Sequence, residues 1–305
     1  MSKAPIALFT YARKEHAETV VNSLLRNKES VETDLIVFSD GPKSTIQESA
    51  VKENRNYIRT ISGFKSIRIV ERDCNWGLAR SLIDGITTVI REYGKVIVVE
   101  DDLIVAPHFL EFMNIALDKY EKEEKVYAVS GYFSISMGRP FFLRNFNCWG
   151  WATWKRAWDS FNPNASDLKA KLLSMHSIRH FDIDFTYPYY RMLQMQEKGM
   201  IDSWAIRCYA FIYVNEGLVL YPSSPLVSQN GMDGSGTHCG VNNLYENTLE
   251  INSIELLDVP IKEDTEAYKQ LKFFCRKVVG YRKEWLREKV YQLACYCKLI
   301  RIVSI

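Results

Sequence analysis

Three consecutive carboxylates, Glu100, Asp101 and Asp102, stand at the end of an apolar run in the stretch VIVVEDDLIVAP. Like charges this close repel one another, and burying even one unpaired carboxylate is costly, so the triplet needs a cation, hydrogen-bond donors or open water. Mg²⁺ and Mn²⁺ prefer such oxygen ligands and can bridge them to a diphosphate. The alternative is a solvated acidic turn that caps the helix predicted from PHFLEFMNIALDKY.

Further polar side chains follow the other strands predicted in the first half. Tyr11 and Arg13 come after the first strand, Asp40 after the second and Asn75 after the third. Asp40 can accept a hydrogen bond from a base or a ribose, and Arg13 and Arg80 can bind phosphate. Each has a plainer alternative, because SDGP is a good turn sequence and a single Arg is usually solvated.

The stretch NWGLARS, residues 75–81, opens a predicted helix directly after a strand. The first backbone N–H groups of such a helix point into the crevice where an anion binds. The stretch matches neither GxGxxG nor a P-loop, so the sequence supports neither a dinucleotide fingerprint nor a Walker-type NTPase.

Alternating strand and helix patterns run through the first half. The predicted strands are 5–11, 34–42, 66–73 and 95–102, and the predicted helices are 16–27 and 78–94. This alternation predicts an α/β fold with a mostly parallel sheet covered by helices on both faces. Ligands of such sheets bind beyond the carboxyl ends of the strands, where the polar residues above cluster.

The second half has a different texture. Its predicted elements are helices at 167–178 and 187–199, strands at 204–214 and 218–222, and a Gly-rich loop at 228–240. Four of the seven tryptophans fall in CWGWATWKRAWDSF, residues 148–161. No internal repeat or low-complexity linker is present, so a single extended domain is the simplest interpretation.

The series PIALFTYARKEH, VFSDGP, NWGLARS and VVEDDLIVAPHFLEFM resembles the nucleotide-sugar domain of GT-A fold glycosyltransferases. EDDLIVAPHFLEF is similar to a segment of the N-acetylglucosaminyltransferase I group, and CWGWATW and DGSGTHCG resemble bacterial polysaccharide-cluster transferases. The resemblance covers about residues 5–240. It implies a GT-A domain at 1–260, with a nucleotide-binding half at 1–105 and an acceptor half at 106–260.

The resemblance also implies roles for the clustered residues. Asp102 matches the acid that binds the metal, Mn²⁺ or Mg²⁺, whereas Glu100 and Asp101 match those that hold ribose or water ligands. Asp40 matches the acid that pairs with the base. The other implied donor-binding positions are Tyr11 and Asn75 on the pocket wall, and Arg13 and Arg80 beside the diphosphate.

Inverting glycosyl transfer requires a general base that takes the proton of the acceptor hydroxyl. Asp202 resembles the family's base, an acid closely followed by Trp, and we expect it to begin the strand at 204–214. Asp182 and Asp184 compete for this role. In the loop GMDGSGTHCG, His238 resembles a histidine that meets the metal or diphosphate, and Asp233 is a further candidate; alone, a His in such a loop is usually a surface residue.

Aromatic faces stack on sugar rings, so Trp149, Trp151 or Trp154 can shape the donor or acceptor site. The alternative is that they belong to the core, because large aromatic side chains dominate protein cores. We expect one face of the pair Trp149 and Trp151 to pack and the other to line the site.

Composition limits the function. Thirty-nine Lys and Arg against 37 Asp and Glu give a net charge of +2, which is too balanced for a protein that coats nucleic acid. Seven cysteines without a CxxC pair argue for reduced thiols and a cytoplasmic protein. No signal peptide or membrane-spanning stretch is evident. The tail at 261–305 is predicted to be a basic amphipathic helix that lies on an anionic membrane or docks on protein.

The resemblance, together with these residues, implies a metal-dependent, inverting transferase that moves a sugar from a UDP-linked donor to a hydroxyl of a glycan or lipid-linked oligosaccharide. Such acceptors belong to bacterial surface glycans. One alternative is a nucleotidyltransferase, although APIALFTYARKEH lacks the Gly-rich basic signature of that class. The other is a non-catalytic glycan- or partner-binding protein that keeps the fold.

Overall fold

A computed structural model describes residues 2–231, 248–253 and 255–279 of the chain. The strands are β1 (Ile6–Thr10), β2 (Asp34–Ser39), β3 (Ser66–Glu71), β4 (Lys95–Glu100), β5 (Leu103–Val105), β6 (Val126–Ser130), β7 (Phe141–Leu143), β8 (Trp151–Trp154), β9 (Leu218–Tyr221) and β10 (Val227–Gln229). The helices are α1 (Lys14–Leu25), α2 (Glu48–Ile58), α3 (Leu78–Tyr93), α4 (Phe109–Lys119), α5 (Lys155–Trp158), α6 (Ala165–Ser174), α7 (Ile178–Phe181), α8 (Tyr189–Glu197), α9 (Trp204–Val214) and α10 (Thr265–Phe274).

Eight of the described strands form one sheet in the order β3-β2-β1-β4-β8-β6-β9-β7. The strands β1 to β4 are parallel, as the alternation of strand and helix patterns predicts. β8 is antiparallel to both β4 and β6, and β6 runs parallel to β9. The carboxyl ends of β1, β2, β3 and β4 therefore meet at one edge, and β8 begins at that same edge.

Helices cover both faces of the sheet because the strands are apolar on both sides. On one face, α3 and α9 pack over Ala7, Phe9, Val98 and Trp151. On the other face, α1 and α4 pack over residues such as Leu8. The helix α3 ends at Gly94, which adopts a left-handed conformation (φ 78°) that costs glycine little. The predicted α/β fold with a mostly parallel sheet is confirmed.

The segment WAIRCYAFIYV, predicted to be a strand, is the helix α9. Eight of the eleven residues of this helix are buried, so its apolar run lacks the amphipathic period that separates a helix from a buried strand. The Oγ of Ser203 accepts a hydrogen bond from the N–H of Ile206 at 3.4 Å and caps the helix. The helix α2 was absent from the sequence-based prediction.

The beginning of the predicted tail is part of the folded domain. Ala267 and Leu271 of α10 and the following Cys275 are buried in the core that α3 and α9 share. Arg139 forms an ion pair with Asp264 (2.6 Å), at the start of this segment. The predicted membrane-binding stretch extends to residue 301 and lies mostly outside the described residues. Within the described part of the chain, no helix combines the length and apolarity needed to span a membrane.

Candidate active site

Arg13 joins two of the three carboxylates at the end of β4. Its Nη2 donates a short hydrogen bond to Asp101 Oδ1 and a second one, of 3.2 Å, to Asp102 Oδ2. Burial lowers the pKa of the guanidinium, but the charges of Asp101 and Asp102 outweigh burial and leave that pKa raised. The edge of the sheet thus places a fixed cation beside two acids. Arg13 Nη1 is buried and has no hydrogen-bond partner among the described residues.

Asp101 faces inward, toward the end of β1. Its Oδ2 accepts hydrogen bonds from Thr10 Oγ1 (3.2 Å) and from the N–H of Tyr11 (3.3 Å), and its side chain is only 6% exposed. Asp101 therefore fixes the loop that carries Arg13, and its oxygens have donors without any ligand.

Glu100 lies on the opposite face of the strand, toward α3 and α9. Burial, followed by the charges of Asp102 and Asp101, raises the pKa of its carboxyl well above the ordinary value. No hydrogen bond to this carboxylate is formed within the described residues. Burial and the charges of Glu100 and Asp102 likewise raise the pKa of the Cys148 thiol, just before β8. Glu100 is thus a carboxylate without hydrogen-bond donors at the carboxyl end of β4.

Asp40 holds the loop between β3 and α3. Its Oδ1 accepts hydrogen bonds from the N–H groups of Gly41 (2.9 Å) and Trp76 (2.8 Å). Its Oδ2 accepts from the side-chain amide of Asn75 (3.1 Å) and the N–H of Gly77 (3.0 Å). A carboxylate offers about four acceptor positions, so a nucleotide base would have to displace one of these donors before it could bind to Asp40. Asp40 and Asn75 thus fix the conformation of this loop.

Tyr11 contacts the chain that follows β2, and Arg80 contacts the loop before α3. The hydroxyl of Tyr11 donates to Gln47 Oε1 (2.7 Å) and accepts from the N–H of Lys43 (2.8 Å), which fixes the ring. The guanidinium of Arg80 lies 4.1 Å from the centre of the Trp76 ring, in a cation-π contact. Arg80 therefore stacks on the loop, and its phosphate contact stays a prediction from the sequence.

Asp202 lies one residue before the cap of α9, and Arg207 on the first turn of the helix binds it. Arg207 Nη2 donates to Asp202 Oδ1 at 2.8 Å, and Arg207 Nε donates to the carbonyl of Ser203 at 3.1 Å. The Asp202 side chain is 66% exposed, whereas that of Arg207 is 14% exposed. A mostly buried cation thus presents an accessible carboxylate at the N-terminal end of α9.

The N-terminal end of α9 is close to the acidic edge of the sheet. Trp204 stacks on Trp151, with ring centroids 5.7 Å apart and planes inclined by 23°. Trp151 is the partner of Val98 in the ladder between β8 and β4, and Val98 is two residues before Glu100. The fold thus brings Asp202 and the acidic triplet to the same end of the domain.

The competing acids lie elsewhere. Asp182 follows α7, which packs on α9 beyond its first turn, since Tyr209 donates a hydrogen bond to the carbonyl of Phe181 (2.9 Å). Burial raises the pKa of Asp182 to about 7, and its Oδ1 accepts from the N–H of Tyr190 at 2.7 Å. Asp184 forms ion pairs with Arg179 and Lys272. Neither acid contacts the residues at the edge of the sheet.

The structure places Trp149 and Trp151 differently from the prediction that one face of the pair packs and the other lines the site. Trp151 is 1% exposed and is enclosed by Trp204, Phe146 and Trp158, so it has no free face for a sugar. The prediction that Trp151 stacks on a sugar is therefore wrong, and the aromatic-rich core explains its position. Trp154 is buried as well, and its Nε1 donates to Leu117 O at 2.9 Å. Trp149 is partly exposed and meets Tyr132 edge-on.

Asn54 and Arg55 position this edge, and the sequence analysis missed both because it did not predict α2. The side-chain amide of Asn54 donates to Thr10 Oγ1 (3.0 Å) and to the carbonyl of Tyr11 (3.1 Å). Arg55 donates to the carbonyls of Asp40 (3.3 Å) and Arg72 (2.7 Å). The signal that could have found them is the spacing of Val51, Asn54 and Ile58, the buried positions of α2.

The predicted metal ligand Asp102 is on this edge, whereas His238 and Asp233 lie outside the described residues. Within residues 2–231, 248–253 and 255–279, no group of three or more His, Cys, Asp or Glu side chains is arranged to hold a metal ion. Mg²⁺ and Mn²⁺ sites in phosphate-binding enzymes commonly use one or two carboxylates, with substrate phosphates and water completing the shell. Three features of this edge fit such a site. Asp102 is a carboxylate, Glu100 is a carboxylate without hydrogen-bond donors, and Arg13 is a cation held by Asp101 and Asp102.

Comparison with known proteins adds a family. The model of the GNT-I family matches residues 1–166, which is more than half of the chain. No curated protein matches. Among solved structures, the mannosyltransferase PcManGT from Pyrobaculum calidifontis, in complex with GDP-Man and Mn2+, is 14% identical with a TM-score of 0.38, over 69% of this chain and 73% of that chain. TarS from S. aureus is 14% identical with a TM-score of 0.32, over 46% of this chain and 24% of that chain. The match over the strands and loops that carry the acidic edge shows that this chain belongs to the GNT-I family.

Proposed function

We propose that the chain transfers a sugar from a nucleotide diphosphate donor, a UDP-sugar, to a hydroxyl of a glycan, with inversion and with Mn²⁺ or Mg²⁺ as cofactor. The observation that carries the proposal is the cluster of Arg13, Asp101 and Asp102 beside Glu100. This cluster combines a partly buried cation, Arg13, whose Nη1 is an unused donor, with a carboxylate that has unused acceptors. Both are what a diphosphate and its cation need.

Within this site, Asp102 is the proposed metal ligand. Its side chain is 19% exposed, so it is accessible, whereas the Asp101 oxygens already have donors from β1 and its loop. A bound divalent cation would neutralise the charge that develops on the leaving diphosphate. Arg13 Nη1 supplies a second positive group for a phosphate oxygen. His238 stays a prediction from the sequence as a further metal ligand.

In this proposal some residues contact the nucleotide sugar and others shape the site around it. Glu100 has free acceptor positions and would bind a hydroxyl of the ribose or the sugar. Tyr11, whose ring is fixed by Gln47 and Lys43, would form one wall of the base pocket. Asp40 and Asn75 would set the shape of the other wall.

Asp202 is the proposed base. It would accept the proton of the acceptor hydroxyl as that oxygen attacks the anomeric carbon from the face opposite the diphosphate. Its exposure suits a large acceptor, and Arg207 fixes the direction of its carboxylate. Trp149, which is partly exposed, remains a proposed contact for a sugar ring.

The acceptor we propose is a glycan or a lipid-linked oligosaccharide of the kind built on the cytoplasmic face of a bacterial membrane. This part of the proposal rests on the resemblance of CWGWATW and DGSGTHCG to bacterial transferases and on the basic sequence of the tail. Binding to vesicles with and without anionic lipid, measured by flotation on the full chain, tests the membrane contact.

The experiment that tests the function measures thermal stability across a panel of nucleotide sugars, with and without Mn²⁺, followed by UDP release from the sugars that bind. We expect a rise in melting temperature that requires both the donor and the cation. UDP release with Mn²⁺ would distinguish an enzyme from a non-catalytic binding protein. Binding of a nucleoside triphosphate and a sugar phosphate with release of pyrophosphate would favour the nucleotidyltransferase instead.

A further inference from the structure

Gly231, directly after β10, lies against the carboxylate of Asp102. A Cβ placed on Gly231 would lie 2.7 Å from the Cβ of Asp102 and 2.8 Å from its Oδ2. Cβ atoms essentially never approach other heavy atoms this closely, so any residue except glycine would have to displace the Asp102 side chain or the loop. The contact is buried.

The backbone conformation of Gly231 does not itself require glycine. Gly231 is absent from the residues with positive φ, which include Gly77, Gly94 and Gly150. Its φ is therefore not in the left-handed region that favours glycine. The space needed by Asp102 is the reason that the structure gives for a glycine here.

The loop cannot easily move away from Asp102. The N–H of Asn230 donates to the carbonyl of Asp102 at 2.7 Å, and the N–H of Gly231 donates to Gln229 Oε1. Gln229 is also paired with Leu103 in the ladder between β10 and β5. Because these contacts hold the backbone up to Gly231, we expect the side chain of Asp102 to move in response to a new Cβ.

The oxygen that a new Cβ would meet is the one that faces the site. Asp102 Oδ2 accepts the 3.2 Å hydrogen bond from Arg13, so Arg13 and Gly231 border the same oxygen. We propose that Gly231 is a positioning residue, which by lacking a side chain lets Asp102 hold its carboxylate toward a divalent cation. This inference rests on the proposed function, in which Asp102 binds the metal.

The test is Mn²⁺ binding to the full chain, titrated by EPR of the free ion and by calorimetry, alone and with saturating UDP. We expect Gly231→Ala to weaken Mn²⁺ binding by at least about tenfold, because a ligand carboxylate must be held close to its productive geometry. Gly217→Ala is the matched control. Gly217 also has an ordinary φ, and its added Cβ would meet the Tyr127 ring at 2.6 Å, but it precedes β9 at the other edge of the sheet.

A double-mutant cycle separates positioning from general damage. If Gly231 acts through Asp102, Gly231→Ala should have no further effect on Mn²⁺ binding in an Asp102→Asn background. If Gly231→Ala does not fold, as judged by circular dichroism, Gln229→Leu replaces it. That variant removes the acceptor for the N–H of Gly231 and should weaken Mn²⁺ binding about threefold or more, by the same positional argument.

The outcomes distinguish this inference from the function on which it rests. If the wild-type chain binds no Mn²⁺, with or without UDP, the metal part of the proposed function fails. If the wild-type chain binds Mn²⁺, Asp102→Asn binds it more weakly, and folded Gly231→Ala binds it as tightly as the wild type, the positioning role of Gly231 is overturned. Equal losses in Gly231→Ala and Gly217→Ala would overturn it as well.

Discussion

Trp204 stacks on Trp151, and this pair joins the helix that begins after Asp202 to the strand beside the one that ends in the acidic triplet. Both rings are almost completely buried, at 3% and 1% exposure. The distance between the proposed base and the proposed metal ligand is thus set by packed aromatic rings and by a β-ladder.

This arrangement predicts a large loss of stability in Trp204→Ala. Removing a buried Trp typically costs about 3–5 kcal/mol of unfolding free energy. Urea unfolding monitored by far-ultraviolet circular dichroism measures the change. Trp149→Ala is the control, because Trp149 is partly exposed and should cost clearly less. Equal costs for the two variants would contradict the assignment of the pair to the core.

Arg13 gives a prediction about the cation. Arg13→Met leaves Asp101 and Asp102 without their counter-charge, and breaking such a partly buried pair should cost about 2–4 kcal/mol. Mn²⁺ should then raise the melting temperature of the variant more than that of the wild type, because the metal replaces the missing positive charge. Lys14→Met, which removes an exposed pair with Glu53, should change stability by less than about 1 kcal/mol. A variant as stable as the wild type would sink the idea.

Asp202 gives a kinetic prediction. Asp202→Asn should lower kcat for UDP release by at least about 100-fold while the affinity for the donor stays within about twofold, since a base acts only in the transition state. Asp182→Asn and Asp184→Asn should retain kcat, because neither residue contacts the acidic edge. A normal kcat in Asp202→Asn, or a loss confined to donor binding, would remove Asp202 from the role of base.

Asp182 gives a prediction about pH. Burial raises its pKa to about 7 in the folded chain, against about 3.9 in an unfolded one. Between these values the unfolded chain has lost the proton that the folded chain keeps, so the wild type loses stability as pH rises and levels off above about 7. Asp182→Asn keeps an oxygen for the N–H of Tyr190 and removes the charge. It should therefore be more stable than the wild type at pH 8, by a few kcal/mol, and little changed at pH 4.

Asp184 provides the control of opposite sign for this measurement. Burial raises the pKa of Asp184, but the ion pairs with Lys272 and Arg179 outweigh burial and leave that pKa lowered. Its contribution to stability is present above the unfolded pKa and is lost as pH falls through the folded pKa. Asp184→Asn should thus destabilise the chain at neutral pH and matter less in acid. Chemical denaturation at several pH values checks both variants, and parallel pH profiles would refute the assignment.

The first four strands of the sheet were predictable because each is a short apolar run that ends in polar residues. Position at strand ends was enough to bring Arg13 and the triplet of Glu100, Asp101 and Asp102 together, since parallel strands share an edge. The sequence does not reveal which hydrogen-bond donors each carboxylate at this edge already has. Asp40 is an example, because its four hydrogen bonds come from a loop whose conformation no periodicity reveals.

The second half was harder to predict for two physical reasons. The helix α9 is largely buried, so its sequence lacks the polar face that marks an amphipathic helix. Trp151 is buried, and the sequence alone does not distinguish a core tryptophan from one that stacks on a sugar. Gly231 stands in a stretch rich in glycine, and its close approach to Asp102 cannot be read from that composition. Contacts between residues distant in sequence decide such cases.

The short ladder between β5 and β10 pairs Leu103 with Gln229, so the chain returns to the acidic edge only after most of the domain has been synthesised. Contacts of such long sequence separation form late, because the closure of the intervening loop must be compensated by other structure first. During synthesis β1 to β9 thus leave the ribosome before this corner, and α10 follows it. A truncated product that ends before residue 227 would lack the backbone hydrogen bond that Asn230 donates to Asp102.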